Sequence, residues 1–476
     1  MTGAPFFVLL ALVSTQEPSA SSTVEDVPNE EAPSGGGETS GGGEASSVEK
    51  ARLTESAPPG ARTGGEGFGF SAQLEAGALS FPSGTPGGGQ DLFARVYPAL
   101  GLTKGETFVL RLGANLRLRV IDEDPKQTET DYGGHLRRED WDELSDAGQV
   151  VRMLRIGQEG RPFLLRVESF SEETLGRGYL VNRYSNMLSP DYHPAGGTVT
   201  FVKGAVRAEV LASDVLAARI FAGEALLDLG RMASDDAKRF DRYLVRLSAA
   251  HEAGRAGGTS PKMTLASLGG DVALYKGERL RTWALLGGGA RFSEGHTPDF
   301  GGLLGIAMEG QTSSGTQLSV TLQGRKQGGT FRFGMFGPDY ELARFSGVGL
   351  RETPLADELL ESGFAGYLEL SMAKGGPDQL MLLGSLAVQY FGFGRTDADV
   401  SMGFELPGAR TRVLARAVLT ALGDRPRYSL GVEVRQRVLN HFYAWGSGGT
   451  VHFPQPDGHL VPGVTAGAGV GVDFQR

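Results

Sequence analysis

Seven histidines are the first residues to test for catalysis, and their spacing excludes most of it. His135, His193, His251, His296, His441, His452 and His459 are scattered along the chain. No H-x-x-x-H or H-E-x-x-H spacing occurs, so the helix face that binds zinc in metalloproteases is missing. There is no G-x-S-x-G elbow. The sequence holds no cysteine, which removes a thiolate nucleophile, a thiolate metal site and a disulfide framework. His452 and His459 stand near Asp457 in a Gly/Pro-rich hairpin, where they could meet a metal or serve a hydrolase; a solvated loop is the favoured reading. Asp122, Glu123 and Asp124 could hold calcium, and a solvated acidic turn is again favoured. Gly467, Gly469 and Gly471 look superficially like a dinucleotide loop, but no helix follows them. No nucleophile–base pair can be assembled, so the sequence points away from an enzyme, and it calls for no metal or cofactor.

The polar residues that do repeat are arginines. Arg111, Arg117, Arg119, Arg207, Arg242, Arg246, Arg412, Arg416, Arg435 and Arg437 stand on one side of alternating segments, together with Glu209, Glu369 and Glu433. Two chemistries are open. Rings of arginine facing a pore favour anions. Alternatively the arginines pair with the glutamates and fill an interior as a salt-bridge network, because buried charges must be paired.

Such a set needs strands to position it, and period-two alternation supplies them. In 107–121, Phe108, Leu110, Leu112, Ala114, Leu116, Leu118 and Val120 oppose Arg111, Gly113, Asn115, Arg117 and Arg119. The same pattern recurs in 202–210, 242–249, 366–374, 428–438 and 464–474. Turn signals separate the segments at 86–89, 103–105, 275–277, 374–377 and 423–426. Strands of this length, apolar on one face and polar on the other, are what a bilayer-spanning barrel requires. A soluble β-sandwich also alternates, but with shorter strands and without such regular arginines. The expected fold is all-β: a transmembrane antiparallel β-barrel over 66–476, of about 18 strands (16–20) because bacterial barrels use even numbers. Phe68, Phe70, Trp283, Phe391, Phe393, Phe442, Tyr443 and Trp445 sit near strand ends, as an interfacial aromatic girdle would.

Bulk properties agree. The formal charge is -10, with 56 acidic against 46 basic residues, which argues against nucleic acid as a partner. Glycine reaches 73 residues without a three-residue period, which excludes collagen. Residues 1–16 read as a signal peptide with an apolar run at 5–13, too short to span a membrane as a helix. Residues 17–65 are rich in Gly, Ser, Glu and Pro and are expected to be a disordered periplasmic linker. One segment, 122–160, breaks the alternation. Trp141, Leu144, Val151 and Leu154 recur at helical spacing, and Asp146 with Gln149 has capping-box spacing. The expectation is a partly helical insert that plugs the barrel or lies on its mouth, or else an ordered turn.

Several strings are shared with a known group. Glu-Asp-Trp-Asp-Glu at 139–143, Arg-Ile-Gly at 155–157, Arg-Pro-Phe at 161–163 and Leu-Gly-Arg-Gly-Tyr-Leu-Val-Asn-Arg-Tyr-Ser-Asn at 175–186 resemble a family of uncharacterised, porin-like outer-membrane β-barrel proteins of myxobacteria and other Gram-negative bacteria. The resemblance covers about residues 90–220 and brings no catalytic residues. It implies residence in the cell outer membrane. The last strand resembles the terminal signal read by the outer-membrane assembly machinery, with Phe474 as its aromatic, although Gln475 and Arg476 follow where the usual pattern ends. Two functions stay open: a porin-like channel or transporter for small polar or anionic solutes, and a closed structural component of an envelope machine for surface motility or export, with periplasmic or outer-membrane protein partners.

Overall fold

Alternating segments become strands because each must hide one face and can leave the other in contact with lipid or lumen. The computed structural model describes residues 67–83, 88–123, 136–254, 262–293, 297–344, 360–375, 380–406, 410–423, 426–454 and 460–475. The expected signal peptide 1–16 and linker 17–65 lie outside the described residues, as do His135, His296, Asp457 and His459.

The strands, in chain order, are β1 (Phe68–Pro82), β2 (Gln90–Lys104), β3 (Phe108–Gly113), β4 (Leu116–Ile121), β5 (Val151–Gly157), β6 (Phe163–Glu168), β7 (Gly196–Lys203), β8 (Val206–Ala212), β9 (Ile220–Asp228), β10 (Tyr243–Glu252) and β11 (Met263–Lys276). They continue as β12 (Leu280–Ser293), β13 (Asp299–Gln311), β14 (Gln317–Gly329), β15 (Leu360–Lys374), β16 (Met381–Phe391), β17 (Thr396–Leu406), β18 (Thr411–Leu422), β19 (Arg427–Arg437), β20 (Phe442–Pro454) and β21 (Leu460–Gln475). All pairings are antiparallel. β1 pairs with β21, Ser71 opposite Gln475 through Ser80 opposite Ala466, so the ladder closes on itself. Closure satisfies every edge, which a sheet in lipid needs.

The circuit contains twenty strands, with β4 outside it, rather than eighteen. The undercount has a local cause. Residues 202–210, expected as one strand, are a hairpin: β7 ends at Lys203 and β8 starts at Val206. Gly204 makes the turn at φ +59°, where a side chain is disfavoured. β3 and β4 both lie along β2 in one register, Ala99 opposite Gly113 and Val96 opposite Leu116. Their interruption falls beside Pro98, whose nitrogen has no proton to donate; Ala114 N–H donates to its carbonyl at 3.1 Å.

The outer surface is apolar. On β13, Phe300, Leu304, Ile306 and Met308 are exposed while Leu303 and Ala307 are buried. The longest strands have 13–16 residues, more than the ~9–11 that cross a bilayer. Among the described residues no helix is long and apolar enough to cross a membrane. The expected girdle divides. Phe68, Phe70 and Phe442 do face outward, but Trp283, Phe391, Tyr443 and Trp445 are buried in the interior. Their parity along the strand decides it: Trp283 shares its face with buried Leu285.

The expectation of a partly helical 122–160 is met only in part. Arg138–Asp140 and Leu144–Val150 are short 3₁₀ turns, and Val151 and Leu154 belong to β5. Pairing with β3, Leu112 opposite Val151 and Leu110 opposite Leu154, outweighs the weak helical spacing.

The seam between β1 and β21 depends on glycine. A Cβ on Gly469 would lie 2.2 Å from the Ala76 carbonyl oxygen and 2.8 Å from Trp445 Cε2. Gly366, by contrast, has nothing within 4 Å of such a Cβ. Gly469→Val is therefore expected to cost about 1–3 kcal/mol and to reduce the fast-migrating folded species on unheated gels. Gly366→Ala serves as the neutral control, and equal folded fractions for the two variants would refute this account of the seam.

Candidate functional site

Two connections break the alternation and fold into the barrel. The first runs from Ser169 to Ala195 between β6 and β7, and the second from Thr330 to Arg344 between β14 and β15. The first holds no helix or strand and the second only the short helix Tyr340–Ala343; a stretch as long as the first without regular structure is uncommon in a compact domain and usually functional. The first limb turns back on itself. Glu173 and Tyr184 exchange backbone hydrogen bonds at 2.9 and 2.7 Å, around a turn in which Gly178 has φ +73°. The second limb pairs with it. Asn182 N–H donates to the Phe336 carbonyl at 3.0 Å, Phe336 N–H to Leu180 at 3.0 Å, and Gly334 N–H to Tyr179 at 2.9 Å.

The joined limbs carry the main apolar core. Phe170, Leu180, Tyr184, Phe331, Phe336 and Tyr340 are all at most 2% exposed, packed with Leu265 and Leu285 of the wall. Their rings meet edge to face: Phe331 and Phe333 at 5.1 Å, Phe336 and Tyr340 at 4.9 Å, a geometry the ring quadrupole favours. The wall makes room for them with glycine. A Cβ on Gly269 would stand 2.2 Å from the Tyr179 ring, and one on Gly289 2.5 Å from Phe331. The glycines of β11–β13 thus form a shallow dish for the aromatic side of the plug.

Charge fixes the plug's position. Arg177 reaches Asp271 on β11 and Glu309 on β13, both at 3.1 Å. Arg183 donates to Asp399 on β17 at 2.7 Å and to Ser385 on β16 at 2.9 Å. Arg416 of β18 binds the same Asp399 at 3.0 Å and donates to the Ser171 carbonyl. On the second limb, Asp339 pairs with Arg427 of β19, Tyr340 donates to Glu252 of β10 at 2.9 Å, and Arg344 meets Glu252 at 3.1 Å. Tyr184 donates to Glu341, which also takes Arg219 at 3.2 Å. Burial, reinforced by the facing carboxylates, raises the Tyr184 and Tyr340 hydroxyls well above the usual tyrosine range, so both remain proton donors.

Segment 136–150 packs beside the first limb. Asp140 accepts from Arg137 at 2.6 Å and from Arg117 at 3.1 Å, with His193 Nε2 at 3.4 Å. Burial alone would raise the Asp140 carboxyl, but His193, Arg117 and Arg137 together hold it below 3.8. Asp146 accepts from Glu143 N–H at 2.9 Å, and so ends a capping box rather than starting one with Gln149. Trp141 is half-buried and Leu144 is exposed, so neither is a core anchor.

The sequence-predicted polar residues fall into groups. Arg246 is locked between Glu224 at 2.7 Å and Asp271 at 3.0 Å. Arg435 meets Glu433 at 2.7 Å and Glu75 at 3.4 Å, and Arg437 meets Asp473 at 2.6 Å. Arg119 bridges Asp91 and Asp122, so Asp122 is part of an ion pair. Arg207 approaches Glu209 at 3.4 Å, and Glu369 accepts from Tyr367 at 2.9 Å. Arg242 lies just before β10 and donates to the Lys238 carbonyl at 2.8 Å. Arg111 and Arg412 also have partners. Phe474 faces outward and stacks on His441 at 5.3 Å. Among the described residues no group of three or more His, Asp or Glu could hold a metal.

Sequence reasoning missed Arg177, Arg183, Tyr179, Tyr184, Glu341 and Arg344. The string 175–186 that carries the family resemblance is the tip of the first limb, and its loss of alternation was the available signal. The plug is also off-centre. Its anchors run from β6 to β19, and inward arginines are partly exposed both beneath it and beyond it: Arg416 is 19%, Arg95 20%, Arg435 25% and Arg437 22% exposed, while Arg183 of the plug is 2%.

No protein-family model matches the chain, and no curated protein sequence matches it. Solved structures do. They include a porin (10% identity, covering 86% of this chain and 100% of that one, TM-score 0.31). The translocation pore of the P pilus usher PapC matches at 11% identity, 86% and 99% coverage and a TM-score of 0.36. Wzi of Escherichia coli, an outer-membrane carbohydrate-binding β-barrel involved in capsule assembly, matches at 11%, 85% and 84%, and 0.36. Scores this low carry no inference for this chain, whose fold rests on its own closed ladder.

Two predictions follow from the plug. Arg183→Met leaves Asp399 with Arg416 but cuts the first limb's anchor; breaking a buried pair costs about 3–5 kcal/mol. The variant should lose thermal stability and become cleavable by trypsin at Arg177, while unchanged protease resistance would refute the anchoring role. Because the Asp140 carboxyl is depressed in the fold, its stabilisation is complete well above pH 3.8 and is lost as pH falls through the lower folded value. Asp140→Asn should therefore destabilise at pH 7 and converge with the parent in strong acid. A constant gap across that range would contradict the assignment.

Proposed function

We propose that the chain is an outer-membrane, porin-like channel of narrow bore for small polar, preferentially anionic solutes. The passage runs beside the plug, along the wall from β19 through β21 and β1 to β5. The observation that carries the reading is the set of partly exposed inward arginines on that wall, Arg95, Arg435 and Arg437. At Arg95 and Arg437 the guanidinium is more exposed than its partner, 20% against 1% for Glu75 and 22% against 16% for Asp473, whereas at Arg435 the partner Glu433 is the more exposed at 42%; arginine lining a water-filled pore favours anions where positive charge is the more exposed. Lipid placement is supported by the apolar outer face, and Phe474 on the outward face of the last strand suits recognition by assembly machinery. The resemblance of the 175–186 string to porin-like outer-membrane barrels of myxobacteria and other Gram-negative bacteria suits the same picture.

A second reading has its own support: the plug is tied down by buried pairs at β10, β11, β17 and β19, as a closed structural barrel of an envelope machine would be. Planar-bilayer recording separates the two. The channel reading expects small discrete steps and an anion-selective reversal potential, shifted toward cations by Arg435→Glu with Arg437→Glu. Silence across salts and voltages refutes it and leaves the scaffold, for which cross-linked envelope partners are then the expected finding.

A further inference from the structure

One charge stands on the outer surface of β14 where its neighbours are apolar. Along that strand Gln323, Arg325 and Gln327 are buried in the lumen, while Leu322, Gly324 and Lys326 face outward. The other outward positions, Leu318, Val320, Leu322 and Gly324, carry no charge. Among the described residues Lys326 has neither an ion pair nor a hydrogen bond. It lies three residues before the end of β14 at Gly329. This end of the barrel carries the long connections: Glu168 to Gly196 spans it, whereas Lys203 to Val206 closes the other end. In outer-membrane barrels the long connections face the cell exterior. An ammonium on the lipid face is costly at mid-depth and tolerated near the interface, which sets Lys326 at the level of the outer leaflet's head groups.

The neighbours of Lys326 say what meets it. In register it stands opposite Phe364 on β15 and Gly302 on β13. Phe364 is 74% exposed, and Phe300, two residues from Gly302 on the same outward face, is 70%. They are the two most exposed large apolar side chains among the described residues. The surface beside the lysine is low, since a Cβ on Gly302 or Gly324 would meet only a backbone oxygen, at 3.8 and 4.0 Å. The ammonium therefore stands unscreened between two presented rings, with exposed Leu304 and Leu322 further down the wall. A free anion would satisfy the charge and leave the rings bare; a neutral lipid would do the reverse. We infer that Lys326 binds the phosphate of a phosphorylated lipid of the outer leaflet, whose acyl chains lie along Phe300, Phe364, Leu304 and Leu322. The site rests on the outer-membrane placement proposed above and not on conduction.

The test uses the full chain in a non-ionic detergent, with dioleoyl phosphatidate as probe and native mass spectrometry to count bound lipid. Saturable binding is expected, and none from dioleoylglycerol, which has the same chains without the phosphate. Lys326→Gln should weaken phosphatidate binding about ten-fold, the size of one charge-assisted hydrogen bond, and Lys326→Arg should retain it. Lys374, exposed at the opposite end of β15, is the control, and Lys374→Gln should bind like the parent. All three variants change exposed side chains and should keep the folded gel mobility. Unchanged affinity in Lys326→Gln, or an equal loss in Lys374→Gln, overturns the site. Dioleoylglycerol binding as tightly as phosphatidate removes the role of the phosphate and overturns it too. Inorganic phosphate displacing the lipid at equal concentration overturns the lipid assignment in favour of a simple ion site. Fractionation of envelopes tests the outer-membrane placement separately, so failure of the site and failure of that placement are told apart.

Discussion

A ring of twenty strands encloses more space than its own inward side chains can fill. Barrels of 16–18 strands leave a water channel and those of 22 hold a plug; this one lies between them in size. The excess volume explains why two connections fold inward and why glycines gather on β11–β13 beneath them. It also explains why the largest apolar cluster sits in the lumen rather than in the wall. The wall itself contributes only a small buried cluster, Leu79, Phe81, Phe93 and Phe453 of β1, β2 and β20, because most of its apolar side chains look outward.

Filling a lumen with charge is costly unless every charge is met. Here arginine does that work through its planar fork, which can serve two carboxylates at once. Asp399 shows the inverse arrangement, one carboxylate joining Arg183 of the plug to Arg416 of the wall. Such pairs are weak evidence for stability in themselves, but they fix geometry, because removing one partner strands the other. The apolar contacts hold the plug in; the ion pairs decide where it sits.

The barrel was legible because its signal is local: alternation at 107–121 and 464–474 states which face meets lipid, whatever the distant partners are. The outward face of Leu112, Leu118, Val470 and Phe474 follows directly. Strand number was less legible, since Lys203-Gly204-Ala205 hides a turn inside a run that keeps its hydrophobicity. The aromatic residues were misplaced where one position of parity moves a ring from lipid to lumen, as at Trp283 and Trp445. The plug was hidden for a different reason. Its residues obey no period, and their partners lie 94 residues away for Arg177–Asp271 and 216 for Arg183–Asp399. The arginines that alternation did reveal, such as Arg246 and Arg416, were read without the partners that give them their role.

Those separations set an order of events during folding. The first limb is made between β6 and β7, yet its decisive anchor is on β17 and its partner limb follows β14. It cannot be seated until more than two hundred further residues have been laid into the ring. Until then a segment bearing Phe170, Tyr179, Leu180 and Tyr184 must remain undocked, with its arginines unpaired by the wall. Contacts of such long range make for slow folding, so the lumen closes late, when most of the barrel around it is already complete.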